Sequence, residues 1–294
     1  MNNVLTLICA HPGDLNDDVA DRIATNLRDL GAEIGTTDWL SQSEACDIPF
    51  NGLAPEKAET AAKTEIPLDV AAQPIEGRRK KLLLADMDST IVTSETLDEL
   101  ADYAGLKDEI AAITARAMNG EIEFHDALNE RVAMLKGLDA DCLDKTMRQI
   151  TYTPGAEPLV HTMAANSAYT ALVSGGFRFF TGKVQDALGF DFETGNQLEV
   201  LDGKITGRAI GDIVDKTTKL NTLHALSTER GLTLAETLTV GDGANDLPML
   251  QAAGLGVAFH AKPVVIKAAR YHVDHCGLEA LLFFQGYRRS EFVG

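Results

Sequence analysis

The pattern of apolar and polar positions at the start of the chain predicts a small domain that begins with a strand and a helix. Residues 4–10 are a short apolar run typical of a strand, and residues 17–30 repeat apolar side chains at helical spacing. Residues 54–77 mix Ala, Pro, Lys and Glu with little periodicity, so their later part is predicted to be a linker. We therefore predict a small α+β domain with its linker at 1–76 and a second domain at 77–294.

The second domain shows the alternation of short apolar runs and helical segments that is typical of an α/β fold. The run at 81–85 suits a parallel strand that is buried on both faces. Alternating residues at 198–205 flank Asp202-Gly203, a pair favoured in tight turns, and predict a β-hairpin. Further strands are predicted at 169–173, 237–240, 256–259 and around Val273.

Residues 94–150 interrupt this alternation, because their periodicity is helical throughout. One apolar stripe contains Leu97 and Leu100, and a second contains Leu128 and Val132. We predict that this segment forms an inserted all-helical cap.

The charge of the chain narrows the choice of partners. Its 26 Lys and Arg residues against 44 Asp and Glu residues give a net charge of −18, a field that repels nucleic acid and anionic membrane surfaces. No nucleic-acid partner and no membrane partner is therefore expected. A small phosphorylated metabolite can still bind, because a local cluster of cations and a divalent metal can outweigh a screened global field.

The four cysteines predict a reducing environment. They are widely scattered and have no C-x-x-C spacing, so neither a zinc site nor a disulfide framework is indicated. The first residues lack the basic segment of a signal peptide, and the apolar run at 4–10 is far too short to span a membrane. A cytoplasmic protein is expected.

Two carboxylates stand two residues apart in the segment D-M-D-S-T, directly after the predicted strand at 81–85. One carboxylate can attack phosphorus to form an aspartyl-phosphate, while the other protonates the leaving oxygen and later activates water. We assign Asp86 as the nucleophile and Asp88 as the general acid and base. An isolated D-x-D is more often a solvated acidic turn, so this assignment depends on the other motifs.

A second oxygen-rich segment, G-D-G-A-N-D, follows another predicted strand, and its glycines let the backbone turn tightly. Magnesium prefers an octahedral shell of oxygens that water and phosphate can complete. The predicted protein ligands are Asp86, the backbone carbonyl of Asp88, and Asp242. Asn245 and Asp246 are expected to support these ligands. By itself the segment could also be a helix-capping turn or a calcium loop.

Two weaker signals lie between these motifs. Ser174 and Gly175 follow the predicted strand at 169–173, and a hydroxyl with bare backbone amides can hold phosphate oxygens where a loop opens into a helix. Lys219 lies in a segment with helical periodicity, where a lysine is ordinarily a solvated side chain. Spacing alone assigns a role to neither.

Taken in order, D-M-D-S-T, S-G-G, the lysine and G-D-G-A-N-D resemble the haloacid dehalogenase superfamily of phosphatases, and more closely its phosphoserine phosphatase family. The resemblance covers about residues 80–285. It implies a Rossmann-like parallel sheet whose active site lies outside the carboxyl ends of the strands. It also implies magnesium-dependent hydrolysis of phosphoserine, the last step of serine biosynthesis.

The resemblance also implies roles that spacing does not give. Ser174 and Lys219 match the residues that bind the transferred phosphoryl group, with Lys216 as a competing lysine. Glu95 and Arg131 match the cap residues that meet the amino and carboxylate groups of the substrate. The chemistry is consistent, since a carboxylate suits an ammonium ion and a guanidinium can grip a carboxylate through two hydrogen bonds.

Three further positions match residues that enclose or face the substrate in the family, namely Met118, Phe124 and Asn245. Ordinary core packing explains Met118 and Phe124 equally well. Their implied contribution is to exclude water when the cap closes, which strengthens electrostatic interactions inside the site. The expected partner is a small phosphomonoester, phosphoserine.

The N-terminal region resembles, more weakly, the degenerate amino-acid-binding regulatory domains that precede some bacterial members of the family. Because it has no motif of its own, a structural role or a role in forming a homodimer stays open beside serine sensing. Two other activities also stay open: a phosphotransferase that passes the phosphoryl group to homoserine or another alcohol, and a non-catalytic amino-acid-binding regulator. The regulator is disfavoured, because every expected catalytic position is occupied.

Overall fold

The computed structural model describes residues 1–294, and the chain begins with an antiparallel sheet that carries two helices. The strand order of this sheet is β2-β4-β1-β5, and β3 pairs with β4. Ile23 and Leu27 of the first helix pack with Leu5 and Leu7 of the first strand, so the predicted opening strand and helix are confirmed. The elements are β1 (Asn3–Cys9), α1 (Asp17–Asp29), β2 (Glu33–Ile34), β3 (Asp38–Ser41), β4 (Ala45–Asn51), α2 (Pro55–Ala61) and β5 (Leu68–Pro74).

The prediction of a linker in the later part of residues 54–77 is wrong, because this part contains strand β5. The strand pairs antiparallel with β1 over the whole length of β1. Two of its buried residues are polar: Asp69 accepts hydrogen bonds from three consecutive backbone N–H groups near the end of the chain, and Gln73 donates to a backbone carbonyl there. These polar residues break the apolar periodicity by which strands are recognised in a sequence.

A seven-stranded sheet organises the rest of the chain, in the order β12-β11-β10-β6-β7-β8-β9. All neighbouring strands are parallel except β8 and β9, which form the predicted hairpin. Its turn residues Asp202 and Gly203 have φ angles of 49° and 73°. The predicted strands are confirmed as β6 (Leu82–Ala85), β7 (Tyr169–Phe177), β8 (Phe192–Leu201), β9 (Lys204–Ile210), β10 (Thr237–Gly241), β11 (Leu255–Phe259) and β12 (Tyr271–Val273).

Helices form the cap and cover both faces of this sheet. Four of them, within the predicted insertion at 94–150, are α3 (Thr96–Asp102), α4 (Lys107–Met118), α5 (Phe124–Met134) and α6 (Asp141–Met147). The others are α7 (Ala156–Ala165), α8 (Arg178–Leu188), α9 (Lys216–Glu229), α10 (Leu247–Ala252), α11 (Pro263–Ala268) and α12 (Ala280–Phe284). Leu83 of β6 packs in a core with α7 and α8, whereas Leu82 and Leu84 pack with α9 and α10.

None of these helices combines the length and the apolar character that crossing a membrane requires.

Candidate active site

Three neighbouring strands bring the predicted motifs to one edge of the parallel sheet. Strand β6 lies between β10 and β7 and is parallel to both. Their carboxyl ends therefore meet, with Asp86 directly after β6, Asp242 directly after β10 and Ser174 near the end of β7. This is the edge at which open α/β sheets ordinarily bind their ligands.

The chain leaves β6 through a short irregular turn, Met87–Ile91, in which Asp88 and Ser89 do not have helical backbone angles. Ser89 has a φ of 55°, a left-handed conformation that is uncommon for a residue other than glycine. Asp86 and Asp88, on either side of Met87, both line the same cavity. The irregular turn thus replaces a regular helix start at the point where the sequence predicts the paired carboxylates.

Lys219 lies directly against the predicted nucleophile. Its side chain is completely buried, with Nζ 2.6 Å from Asp86 Oδ1 and 2.7 Å from Asp246 Oδ1. Burial by itself lowers the pKa of the Lys219 ammonium, but the two aspartates raise it above its ordinary value. Lys216 is exposed at the first turn of α9, so the structure favours Lys219 over this competing lysine.

Two lysines, Lys219 and Lys262, do not balance the three carboxylates around them. Ligand oxygens of Asp86, Asp242 and Asp246 all lie within 4.8 Å of one another. Burial raises the pKa of Asp86 well above its ordinary value against the attraction of Lys219, and the neighbouring carboxylates raise it further. Burial, followed by the charge of Asp246, raises the pKa of Asp242 to about 7. The cluster therefore needs additional positive charge.

The donor set fits a divalent cation with oxygen ligands. Asp86 Oδ1 and Asp242 Oδ2 are buried, and each has one lysine beside it: Lys219 Nζ lies 2.6 Å from the first oxygen and Lys262 Nζ lies 3.5 Å from the second. Both oxygens of Asp246 are already engaged, one by Lys219 and one by the N–H of Gly243. Asp86 and Asp242 are thus suited to bind a metal directly, with Asp246 behind them.

The carboxylate of Asp88 is held from two sides. Oδ1 accepts a 2.8 Å hydrogen bond from the backbone N–H of Thr96, and Oδ2 accepts a 3.1 Å bond from the hydroxyl of Ser174. Burial raises the pKa of Asp88 above its ordinary value, and these hydrogen bonds limit the rise. Sequence analysis missed Thr96. This residue acts through its backbone N–H at the N-terminus of α3, a group that every residue except proline has, so the sequence does not reveal it.

The S-G-G motif requires glycine at positions 175 and 176, because other side chains approach its backbone closely. A Cβ atom on Gly175 would lie 2.6 Å from the tip of the Phe124 ring, and one on Gly176 would lie 2.5 Å from Asp88 Oδ2. The N–H of Gly176 instead donates a 2.8 Å hydrogen bond to the hydroxyl of Ser174. The glycines thus let the cap residue Phe124 and the carboxylate of Asp88 contact this loop directly.

Glu95 and Arg131 reach the same cavity from two cap elements. Burial, reinforced by the charges of Asp88 and Asp242, raises the pKa of Glu95 well above its ordinary value. The hydroxyl of Ser89 donates a 2.7 Å hydrogen bond to Glu95, a contact that sequence analysis did not predict. Glu95 is thus a half-buried carboxyl group without a cationic partner within 4.0 Å, as a site for an ammonium group requires.

The remaining predicted residues, Met118, Phe124 and Asn245, also line the cavity, while Lys219, Asp242 and Asp246 lie behind its wall. Its volume is about 20 Å³, room for one or two water molecules. The cap is held against the core by a 3.0 Å hydrogen bond from the N–H of Ala244 to the carbonyl of Met118. The structure therefore has a closed cap. Gly176 of the predicted S-G-G motif also lines it, and the residues that sequence analysis missed in the lining are Thr96, Leu97, Leu128 and Phe177.

Comparison with known proteins agrees with this geometry. The family model described as haloacid dehalogenase-like hydrolase matches residues 83–251. The chain belongs to the haloacid dehalogenase-like hydrolases, and the relatives at 30% identity or more place it in their phosphoserine phosphatase family. One relative, a phosphoserine phosphatase from Streptomyces coelicolor, is 38% identical over 294 residues, which are 98% of this chain and 71% of the relative.

Two solved structures extend the comparison. A probable phosphoserine phosphatase from Vibrio cholerae, in unliganded form, is 30% identical with a TM-score of 0.78, and the match covers 99% of this chain and 88% of the other. A phospho-aspartyl intermediate analogue of phosphoserine phosphatase is 38% identical with a TM-score of 0.68, and covers 70% of this chain and 99% of the other. The family predicted from the ordered motifs is confirmed.

Proposed function

We propose that the chain is a phosphoserine phosphatase that hydrolyses O-phospho-L-serine to L-serine and phosphate through an aspartyl-phosphate at Asp86. The observation that carries this proposal is that Glu95 and Arg131 line the same cavity as Asp86 and Asp88. One pair can bind an amino acid, and the other can transfer a phosphoryl group. The names of the related proteins agree with both halves of this assignment.

The phosphate is bound between the strand ends. Lys219 offers a fixed positive charge beside Asp86. The hydroxyl of Ser174 and the N–H of Gly176, which here donate to Asp88 and to Ser174, would turn to the phosphate when it binds, together with the N–H of Gly175. Because Lys219 is fixed by the fold before the substrate binds, it stabilises the charge of the transferring phosphoryl group without reorganising.

In the first step, a carboxylate oxygen of Asp86 attacks phosphorus and the bond from phosphorus to the serine oxygen breaks. Asp88, in its protonated form, gives its proton to that oxygen, so serine leaves as a neutral alcohol. The raised pKa of Asp88 favours this proton-carrying form. The hydrogen bond from the backbone N–H of Thr96 keeps the carboxyl group in place.

In the second step, Asp88 is a carboxylate and takes a proton from a water molecule. The water oxygen attacks phosphorus, the bond to the Asp86 oxygen breaks, and phosphate is released. Asp86 and the protonated Asp88 are then restored, so one residue acts as acid and then as base.

We propose Mg²⁺ as the cofactor, with Asp86 and Asp242 as side-chain ligands, the backbone carbonyl of Asp88 as a third ligand, and Asp246 and Asn245 in support. The buried cluster of Asp86, Asp242 and Asp246, whose ligand oxygens lie within 4.8 Å of one another, supports this assignment. Bound there, Mg²⁺ would neutralise negative charge on the phosphate and on the aspartate cluster.

Selectivity for an amino acid comes from the cap. The half-buried carboxyl of Glu95 suits the substrate ammonium, and Arg131 suits its carboxylate through charge-assisted hydrogen bonds. Met118 and Phe124 close the cavity over the reacting atoms and exclude water that would weaken these interactions. Because the closed cavity is too small for phosphoserine, the cap must open to admit the substrate.

The same proposal places the reaction at the last step of serine biosynthesis. The four cysteines are all free and buried, which supports a reducing, cytoplasmic setting. We further propose that residues 1–76 form a separate domain packed on the catalytic domain at 77–294, since strand β5 binds the end of the chain through Asp69.

The test is phosphate release from O-phospho-L-serine, O-phospho-L-threonine and glucose 6-phosphate, each with and without MgCl₂. We expect Mg²⁺-dependent release with preference for phosphoserine, and no measurable release by Asp86→Asn. A preference for the sugar phosphate would overturn the substrate assignment. Near-normal turnover by Asp86→Asn would overturn the nucleophile, and transfer of phosphate to added homoserine in place of water would indicate a phosphotransferase.

A further inference from the structure

Arg131, which the proposed function assigns to the substrate carboxylate, is held by other residues of the cap. Its side chain is 3% exposed. Nε donates a 3.1 Å hydrogen bond to the backbone carbonyl of Ala127 on the same helix, and Nη1 donates a 2.9 Å bond to the hydroxyl of Thr114 on α4. Nη2 makes no hydrogen bond within the protein. Two of the three guanidinium nitrogens are thus held by the protein, and Nη2 is free.

The hydroxyl of Thr114 is itself oriented by a third helix. Thr114 is 3% exposed, and its Oγ1 lies 2.7 Å from Oδ1 of Asp98 on α3 and 3.1 Å from the backbone carbonyl of Ile110. A hydroxyl has one hydrogen to donate, and the shorter contact to a carboxylate is the stronger of the two. Donation to Asp98 leaves the lone pairs of Oγ1 to accept from Arg131.

Asp98 supplies negative charge to Arg131 without forming a direct ion pair with it. No carboxylate oxygen lies within 4.0 Å of the Arg131 guanidinium, although Asp98 and Glu95 are both close enough to favour its charged form. A direct ion pair would compete with a substrate carboxylate for the same donors. The indirect contact through Thr114 keeps the charge balanced and the donor Nη2 available.

We infer that Thr114, backed by Asp98, is a positioning residue that fixes Arg131 so that its free Nη2 meets the carboxylate of the substrate. The contacts join three successive cap helices, α3, α4 and α5. The inference rests on the proposed function, because it assumes that Arg131 binds the carboxylate of the substrate. It adds two specificity-determining residues that touch neither the phosphate nor the metal cluster.

The experiment compares two substrates that differ in the carboxylate, O-phospho-L-serine and O-phosphoethanolamine. Thr114→Val removes the hydroxyl with little change of volume and should raise KM for phosphoserine about tenfold with kcat changed less than about twofold. The ratio of kcat/KM for phosphoserine to kcat/KM for phosphoethanolamine should therefore fall about tenfold. Thr114→Ser keeps the hydroxyl, so its ratio should equal that of the wild-type protein. Asp98→Asn should lower the ratio about threefold relative to the wild-type protein, because a neutral acceptor orients the hydroxyl less strongly.

A matched control is Thr146→Val on α6, because the hydroxyl of Thr146 is equally buried in the cap but has no hydrogen-bond partner. This control should keep the ratio of the wild-type protein. Equal losses on both substrates in Thr114→Val would overturn the inference and leave Thr114 a structural residue. An unchanged ratio in a folded Thr114→Val variant would also overturn it.

Failure of the proposed function would be recognised separately. If the wild-type protein shows no preference for phosphoserine over phosphoethanolamine, Arg131 does not bind a substrate carboxylate and the substrate assignment fails. If the preference exists and Arg131→Ala abolishes it while Thr114→Val does not, only the positioning role fails. Should Thr114→Val fold poorly, Asp98→Asn and Thr114→Ser still test the same contact.

Discussion

Lys219 Nζ lies 2.6 Å from Asp86 Oδ1, and the lysine is completely buried. The proposed nucleophile therefore has a fixed cationic neighbour that is part of the fold and does not depend on metal binding. The same ammonium group donates a 2.7 Å hydrogen bond to Asp246, which makes it the link between the first and last catalytic motifs.

Lys219→Ala should lower kcat/KM for phosphoserine by on the order of a thousandfold, since a preorganised charge at the transferring phosphoryl group is removed. It also leaves Asp86 and Asp246 without their buried partner, so Tm should fall as well. Phosphate release and thermal melts measure the two effects. The matched control is Lys216→Ala, which should change either quantity little because Lys216 is exposed. Comparable losses in both variants would contradict the assignment.

Asp88→Asn keeps the shape of the side chain and an oxygen that can accept from the N–H of Thr96. It removes the proton donor for the leaving serine and the base for the attacking water, so kcat should fall by roughly a hundredfold to ten-thousandfold. Tm should stay close to that of the wild type. Rapid-quench measurement of the phosphoenzyme would show whether formation and breakdown both slow down. A variant with normal kcat would exclude Asp88 as the acid and base.

Metal binding should stabilise the protein more at pH 8 than at pH 5. In the folded, metal-free protein, Asp242 keeps its proton up to about pH 7. In the unfolded chain, Asp242 loses that proton near its ordinary pKa of about 4. Between these values the folded state binds more protons, so the stability of the metal-free protein falls as the pH rises from about 4 to 7. Mg²⁺ replaces that proton and restores the lost stability at high pH.

Thermal melts with and without MgCl₂ at the two pH values measure this effect. Asp242→Asn should largely remove the dependence of the Mg²⁺-induced Tm increase on pH. An equal Tm increase at pH 5 and pH 8 in the wild-type protein would show that Asp242 does not compete with the metal for protons.

Gly175→Ala should hinder cap closure, because the added Cβ would lie 2.6 Å from the Phe124 ring. We expect kcat/KM for phosphoserine to fall about tenfold or more, as a displacement of about 1 Å in an active site can cost that much. Phe124→Leu should recover part of the loss in the double variant, since the shorter side chain leaves room for the new methyl group. Measuring kcat/KM for the two single variants and the double variant completes a double-mutant cycle. Purely additive losses would show that the two residues do not meet during catalysis.

The sequence by itself determined the chemistry and the fold class. The paired aspartates of D-M-D-S-T and the carboxylates of G-D-G-A-N-D each follow an apolar strand, and parallel strands necessarily bring such residues to one edge. The family, the helical cap and the hairpin at Asp202-Gly203 could all be predicted, because each depends on a local pattern.

Only the tertiary structure decided which groups hold these residues in place. The backbone N–H of Thr96 on Asp88, the hydroxyl of Ser89 on Glu95 and the hydroxyl of Thr114 on Arg131 leave no recognisable pattern in the sequence. Strand β5 was hidden for the same reason, since its buried polar residues find their partners about two hundred residues away. A hydrogen bond between distant segments depends on how the chain folds, and local periodicity carries no information about it.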